Sequence, residues 1–323
     1  MKASVILPTR NRADTLARCL AALACQTLPA DAFEVLVIDN GSADHTRSVA
    51  RKYGSVLNLT YAALPEPGLH AARHEGMRRA ATGILMFADD DTEAVPGWVE
   101  SVVRTFENPH VTLVGGNNYP AFQDPPPGWL MRLWEKPVYR GRALWQLSIL
   151  DFGEGSFAID PAYVWGCNFS IRKDILLKVG GFHPDGFPES HMRFRGDGET
   201  HVANEVRRIG HLAVFNSKAS VTHSVPSQKM TPEYFRKRSW TQGISDSYTA
   251  IRAGSVLGPY LGVLLRKWAS MLRILSACFT SDREVLGIIR SNRASYWRGY
   301  AYHRQEVRTD PQLKSWVLKD NYL

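Results

Sequence analysis

Over the first ~115 residues, short apolar runs alternate with stretches whose apolar residues recur every three or four positions. Val5-Ile6-Leu7, Val35-Leu36-Val37-Ile38, Leu57-Asn58-Leu59-Thr60-Tyr61, Ile84 to Ala88 and Val111 to Val114 read as strands. Between them, Leu16, Cys19, Leu20 and Leu23 share one helical face. His70 to Ala81 reads as a helix ended by Thr82-Gly83, and Pro96 as the first residue of another. Such alternation predicts an α/β fold with a Rossmann-like, doubly wound sheet. Ligands of these sheets gather beyond the carboxyl ends of the strands, where Pro8-Thr9-Arg10, Asp39-Asn40-Gly41 and Asp89-Asp90-Asp91 fall.

From Asn117 to Trp165 the periodicity breaks into Pro125-Pro126-Pro127-Gly128 and the aromatics Trp129, Trp134, Trp145 and Trp165, which predicts a long loop. Its indoles suit either an acceptor groove or a local core. Order returns at Gly166-Cys167-Asn168-Phe169-Ser170-Ile171-Arg172, followed by a short helix through Leu177 to Gly180-Gly181-Phe182. Arg195-Gly196-Asp197-Gly198-Glu199-Thr200 leads into a helix over His201 to Gly210, with arginines in its last turn and a closing glycine. Strands are expected at Leu212 to Phe215 and Ala219 to Thr222, and the remainder is largely helical, with an apolar stripe from Leu257 to Leu275. Arg266, Lys267 and Arg273 interrupt that stripe, which disfavours a membrane span. The expected organisation is one α/β domain over 1–225, in two halves (1–116 and 117–225), with a basic, mainly helical region over 226–323.

The chemistry concentrates where Ile84-Leu85-Met86-Phe87-Ala88 meets Asp89-Asp90-Asp91. Three adjacent carboxylates at the mouth of a buried strand repel one another, and a hard cation shared with substrate phosphates relieves this. A solvated turn capping the next helix is the alternative. Of 323 residues, 44% are hydrophobic and 22% charged, the profile of an ordinary folded protein. The formal charge of +8 is uneven: from Pro226 onward there are sixteen Lys and Arg against seven Asp and Glu, so the basic character belongs to the last third. That third suits docking on the catalytic domain, self-association into a homo-oligomer, or peripheral contact with anionic headgroups at the inner membrane face. Nucleic acid is not expected as a partner, since no recognised module is present. Cys19, Cys25, Cys167 and Cys278 have no metal or CxxC spacing and read as reduced packing residues. Met1 leads straight into Ser4-Val5-Ile6-Leu7 without a secretory signal, which predicts a cytoplasmic protein.

Four ordered motifs resemble the inverting glycosyltransferases of family 2, which have the GT-A fold: Ser4-Val5-Ile6-Leu7-Pro8-Thr9-Arg10-Asn11-Arg12, Val37-Ile38-Asp39-Asn40-Gly41-Ser42-Ala43-Asp44, Gly68-Leu69-His70-Ala71-Ala72-Arg73-His74-Glu75-Gly76 and Ala88-Asp89-Asp90-Asp91. Gly166 to Arg172 and Gly180-Gly181-Phe182 fit as well. The resemblance implies a mixed sheet with a helical C-terminal extension, a nucleotide diphosphate sugar donor (UDP the commonest nucleotide), an acceptor hydroxyl on a glycan, lipid-linked or small molecule, and Mn²⁺ or Mg²⁺ as cofactor. It implies nucleotide contacts from Pro8, Thr9, Arg10, Asp39, Arg73, Asp89 and Asp90, metal contacts from Asp91, Asp89 and His223, and a catalytic base at Glu199, with Asp197 as the alternative. Lys229, Arg236 and Arg238 lie where they could neutralise pyrophosphate. The Gln-x-x-Arg-Trp signature of processive members is absent, which favours addition of a single sugar. A nucleotidyltransferase-like enzyme is disfavoured because no GxGxxG or Walker loop follows the first strand; a non-catalytic sugar- or membrane-binding protein is the other alternative.

Overall fold

A computed structural model describes residues 1–65, 68–254 and 282–323. The apolar runs become the centre of a mixed sheet: β1 (Ala3–Thr9), β2 (Phe33–Asp39), β3 (Leu59–Ala63), β4 (Ile84–Ala88), β6 (Val111–Gly115), β11 (Ser156–Ala158), β12 (Asn168–Arg172) and β13 (Leu212–Asn216), in the order β11-β13-β6-β12-β4-β1-β2-β3. β1 runs parallel to both β2 and β4, whereas β12 runs antiparallel to β4.

Both faces of this sheet are covered, so its central strands are apolar at nearly every position. Val5, Leu7, Val35, Val37 and Met86 point to one side, where α1 (Ala13–Ala24), α2 (Thr46–Tyr53) and α4 (Trp98–Thr105) pack. Ile6, Leu36, Ile38, Leu85 and Phe87 point to the other, toward α3 (Leu69–Arg79), α6 (Lys173–Lys178) and α7 (Glu199–Arg208). The third strand lies two residues later than expected, because Leu57 is buried in the preceding turn. Pro96 does not open a helix; α4 starts at Trp98 after a turn in which the Trp98 N–H donates to the Val95 carbonyl.

The expected long loop over 117–165 is instead mostly structured. A second sheet runs in the order β5 (Thr92–Ala94), β14 (Val221–Val225), β7 (Asn118–Phe122), β10 (Ile149–Asp151), β9 (Gly141–Leu144), β8 (Pro137–Val138), with α5 (Gly128–Trp134) beside it. Trp129 and Trp134 are buried core residues, while Trp145 stays 38% exposed. β14 begins two residues later than expected, because Ser217–Ala219 forms a 3₁₀ turn capped by the Asn216 side chain.

Two long helices, α8 (Pro232–Arg252) and α9 (Arg283–Thr309), cross at glycines: a Cβ at Gly243 would lie 2.1 Å from the Tyr296 carbonyl oxygen, and one at Gly299 would lie 2.0 Å from that of Trp240. Phe235 and Val285 share a cluster with Trp129 and Leu130, so these helices pack on the second sheet's side of the molecule. α10 (Pro311–Val317) follows. The stripe expected over Leu257 to Leu275 lies outside the described residues. No helix among the described residues is long and apolar enough to cross a membrane.

Candidate active site

Strand register brings the site together. Asn168 pairs with Ala88, which sets Gly166 and Cys167 beside Asp89. His223 pairs with Thr92, and the Ser224 N–H donates to the Asp91 carbonyl at 3.0 Å, so β14 delivers the imidazole to the acidic tip of β4. Glu199 opens α7, where a negative charge is favoured by the helix dipole. The resulting cleft, about 310 Å³, is lined by Arg73, Asp89, Asp91, Asp197, Glu199, His223, Lys229 and Arg238 among others.

Asp91 is the most heavily neutralised acid. Its Oδ2 accepts from Arg12 Nη1 and from Lys229 Nζ, each at 3.1 Å. Its Oδ1 faces His223 Nε2 at 3.3 Å but accepts no well-directed hydrogen bond, and His223 Nδ1 is likewise buried without a partner among the described residues. Burial pushes this carboxyl up, but His223, Lys229 and Arg12 outweigh it and hold it well below the usual range. Asp90 behaves oppositely. Burial raises it to about 6 although Arg12 and the Thr9 hydroxyl, which donates at 2.7 Å, both favour its ionised form. Asp89 is raised by burial, partly offset by Arg73.

Arg73 links the two sides of the cleft. Its side chain is almost wholly buried, with Nη2 3.6 Å from Asp89 Oδ1 and Nη1 3.5 Å from Glu199 Oε2. Nη2 donates to the Gly166 carbonyl at 3.2 Å, and the guanidinium lies over the Phe182 ring. Nε and Nη1 make no hydrogen bond among the described residues, a costly state for a buried cation unless something else enters the cleft. Glu199 keeps a half-buried carboxylate, with Oε1 accepting from the Gly166 N–H at 3.3 Å.

The expected site residues therefore separate into two groups. Arg73, Asp89, Asp91, Asp197, Glu199 and His223 line one cleft. Pro8, Thr9, Arg10, Asp39 and Asp90 do not line it. Thr9 and Asp90 bind each other behind it, Arg10 is exposed, and buried Asp39 is occupied by the Ser42 N–H and hydroxyl at 2.8 and 2.6 Å and by the Tyr61 hydroxyl at 2.6 Å. Lys229 and Arg238 reach the cleft, whereas Arg236 lines a separate surface hollow with Glu233 and Trp240. Arg12 was not singled out by sequence, because an arginine just before a helix reads as solvated; its position opposite Asp90 and Asp91 depends on β1 lying beside β4.

The donor set suits a hard divalent cation, carboxylate oxygen with one imidazole: Asp91 Oδ1 has no hydrogen-bond partner among the described residues and lies 3.3 Å from His223 Nε2. No three His, Cys, Asp or Glu side chains among the described residues already converge on one point, so substrate oxygens would have to complete the shell.

Comparison with known proteins agrees with this arrangement. Residues 4–180, more than half of the chain, match the sequence profile of glycosyl transferase family 2. The glycosyltransferase AglE of Haloferax volcanii is 40% identical over 116 residues, covering 35% of this chain and 38% of its own. Validoxylamine A glucosyltransferase of Streptomyces hygroscopicus subsp. jinggangensis is 31% identical over 198 residues, 56% of this chain and 47% of its own. The chain thus spans less than half the length of these two relatives. Among solved structures, the mannosyltransferase PcManGT from Pyrobaculum calidifontis, in complex with GDP-Man and Mn²⁺, superposes with a TM-score of 0.56 at 18% identity, over 99% of this chain and 84% of that one. At that identity the likeness speaks for the fold, and the profile match speaks for the family. With its ordered motifs carried on a GT-A fold, the chain belongs to glycosyl transferase family 2.

Proposed function

We propose that this protein is an inverting glycosyltransferase that moves one sugar from a nucleoside diphosphate sugar, UDP being the first candidate nucleotide, to an acceptor hydroxyl with the help of Mn²⁺ or Mg²⁺. The observation that carries the reading is the single cleft in which Arg73 lies between the acids at the tip of β4 and Glu199. The names of the two relatives support glycosyl transfer, and the GDP-Man and Mn²⁺ in a structural neighbour support a nucleotide sugar and a divalent cation.

Glu199 is the base. As the acceptor oxygen attacks the anomeric carbon, Glu199 takes its proton, the bond from that carbon to the diphosphate breaks, and the electron pair leaves with the diphosphate. One displacement inverts the anomeric configuration. Arg73, Lys229 and Arg238 supply positive charge to the leaving group, and Nε of both arginines is free of hydrogen bonds among the described residues. Asp91 and His223 would hold the cation, which when bound adds Lewis-acid stabilisation of the leaving diphosphate. Asp39, the last residue of β2, held by Ser42 and Tyr61, offers its carboxylate to a base N–H once Tyr61 gives way. Residues 1–225 serve as the catalytic unit, and Lys229 and Arg238 from the region that follows complete the cleft.

Calorimetry against UDP, GDP and their sugars, with Mn²⁺ or with EDTA, followed by NMR of the anomeric proton of the product, tests this reading. Cation-dependent binding of one nucleoside diphosphate and a product of inverted configuration are expected. Retained configuration, or no binding of any nucleoside diphosphate, refutes it.

A further inference from the structure

We propose that Asp197 is a positioning residue, not the base, and that a clasp reaching from Asp197 through His183 to Tyr322 holds Glu199 in its working place. This rests on the reading of Glu199 as base. Asp197 Oδ1 accepts from His183 Nδ1 at 2.6 Å and its Oδ2 from the Thr249 hydroxyl at 2.5 Å, while its backbone carbonyl accepts from the Thr200 N–H at 2.9 Å. Its side chain is 5% exposed against 28% for Glu199, so Glu199 is the carboxylate with room for a hydroxyl.

The anchor acts on the turn that aims Glu199. Gly198 has φ +53°, and a Cβ there would meet Asp185 Oδ2 at 2.8 Å. Its carbonyl accepts from the His183 N–H at 3.3 Å. Gly196 is fixed on both sides, its N–H donating to the Pro184 carbonyl and its carbonyl accepting from the Ser245 hydroxyl, each at 2.8 Å. Thus α8, through Ser245 and Thr249, grips the loop directly.

The second grip comes from far along the chain. The His183 ring stacks on His201 at 3.6 Å between centroids, and the edges of Tyr248 and Tyr322 close over it at 5.3 and 5.4 Å. The two tyrosine hydroxyls bond at 2.8 Å, Tyr322 donates to the Trp316 carbonyl at 2.5 Å, and the Trp316 indole N–H donates to the Phe194 carbonyl at 2.9 Å. A segment that does not line the cleft therefore sets the orientation of the imidazole that holds Asp197.

The test measures transfer and nucleoside diphosphate binding in Asp197→Asn, Thr249→Val, Tyr322→Ala and Glu199→Gln, with circular dichroism to confirm folding. Asp197→Asn and Tyr322→Ala should each lower kcat about 10- to 100-fold, the scale of a base misplaced by about 1 Å, with nucleotide binding within about twofold. The fall of kcat/KM toward low pH should remain in both, because Glu199 still takes the proton. Their double variant should lose little more than the worse single one. Thr249→Val removes one bond without changing shape, should show the same pattern in milder form, and keeps the proposal testable if Asp197→Asn does not fold. Wild-type kcat in Asp197→Asn and Thr249→Val overturns the positioning role. Turnover abolished in Asp197→Asn, with Glu199→Gln active and still losing kcat/KM toward low pH, makes Asp197 the base and overturns both readings. A wholly inactive Glu199→Gln alongside unaffected Tyr322→Ala and Thr249→Val keeps the base and overturns the clasp.

Discussion

Asp91 has three cationic or protonatable neighbours at once, each delivered by a different part of the chain: Arg12 after β1, His223 on β14 and Lys229 beyond it. A carboxylate so surrounded is already partly neutralised, so Asp91→Asn should do more than remove a cation ligand; it leaves Arg12 and Lys229 facing an uncharged amide. We expect Mn²⁺ affinity in the presence of UDP, followed by the EPR signal of free Mn²⁺, to fall by at least about tenfold. An unchanged affinity would exclude Asp91 as a ligand. The clustering of acids was visible in the sequence because three carboxylates cannot follow a buried strand without a reason. Arg12 was not, since nothing local to it signals a partner 78 residues away; only strand order does that. Asp39 was legible as a strand-end acid, but its internal bonds to Ser42 and Tyr61 were not, because they depend on where β3 lies.

Helices α8 and α9 illustrate what periodicity omits. Each is long and each carries a buried glycine where an apolar stripe would suggest a larger side chain, because the backbones touch. Gly299→Ala should therefore cost roughly 1–3 kcal/mol by overpacking, despite alanine's better helix propensity, and urea denaturation should show it as a lower midpoint with unchanged slope. A stabilised Gly299→Ala would mean that the helices cross elsewhere. The apolar runs that became β1, β2, β4 and β6 were readable because both their faces are buried. Apart from β14, which was expected two residues early, the second sheet escaped because its strands are two to five residues long and partly exposed, too short for alternation to register. The indoles that seemed free to line a groove were divided by packing: Trp129 and Trp134 went into the core and Trp145 stayed outside.

At the scale of the molecule, α3, the Gly181-Phe182 turn and the last residues are joined at His74. Its Nε2 accepts from the Phe182 N–H at 2.8 Å, and the imidazole also bonds the Tyr322 backbone. Burial drives its pKa down to about 3, and burial takes that of His303 to about 4. Free histidine titrates near ~6.5, so below that pH the unfolded chain takes protons that the folded chain refuses. Stability is full above ~6.5 and falls as pH drops toward the folded values, by up to about 1.4 kcal/mol per pH unit for each histidine. Denaturation at pH 7.5, 6 and 5 should show a shallower loss of stability in His74→Gln than in the parent; an unaltered slope contradicts the assignment. The same fold lines one cleft with Glu199, Asp91 and His223, and their proposed pairing as base and cation site is the central claim. Single-turnover transfer by Glu199→Gln, with nucleoside diphosphate binding measured on the same protein, tests it most directly. Binding within about threefold of the parent with transfer down about 100- to 10,000-fold is predicted, and parent-level transfer would contradict it.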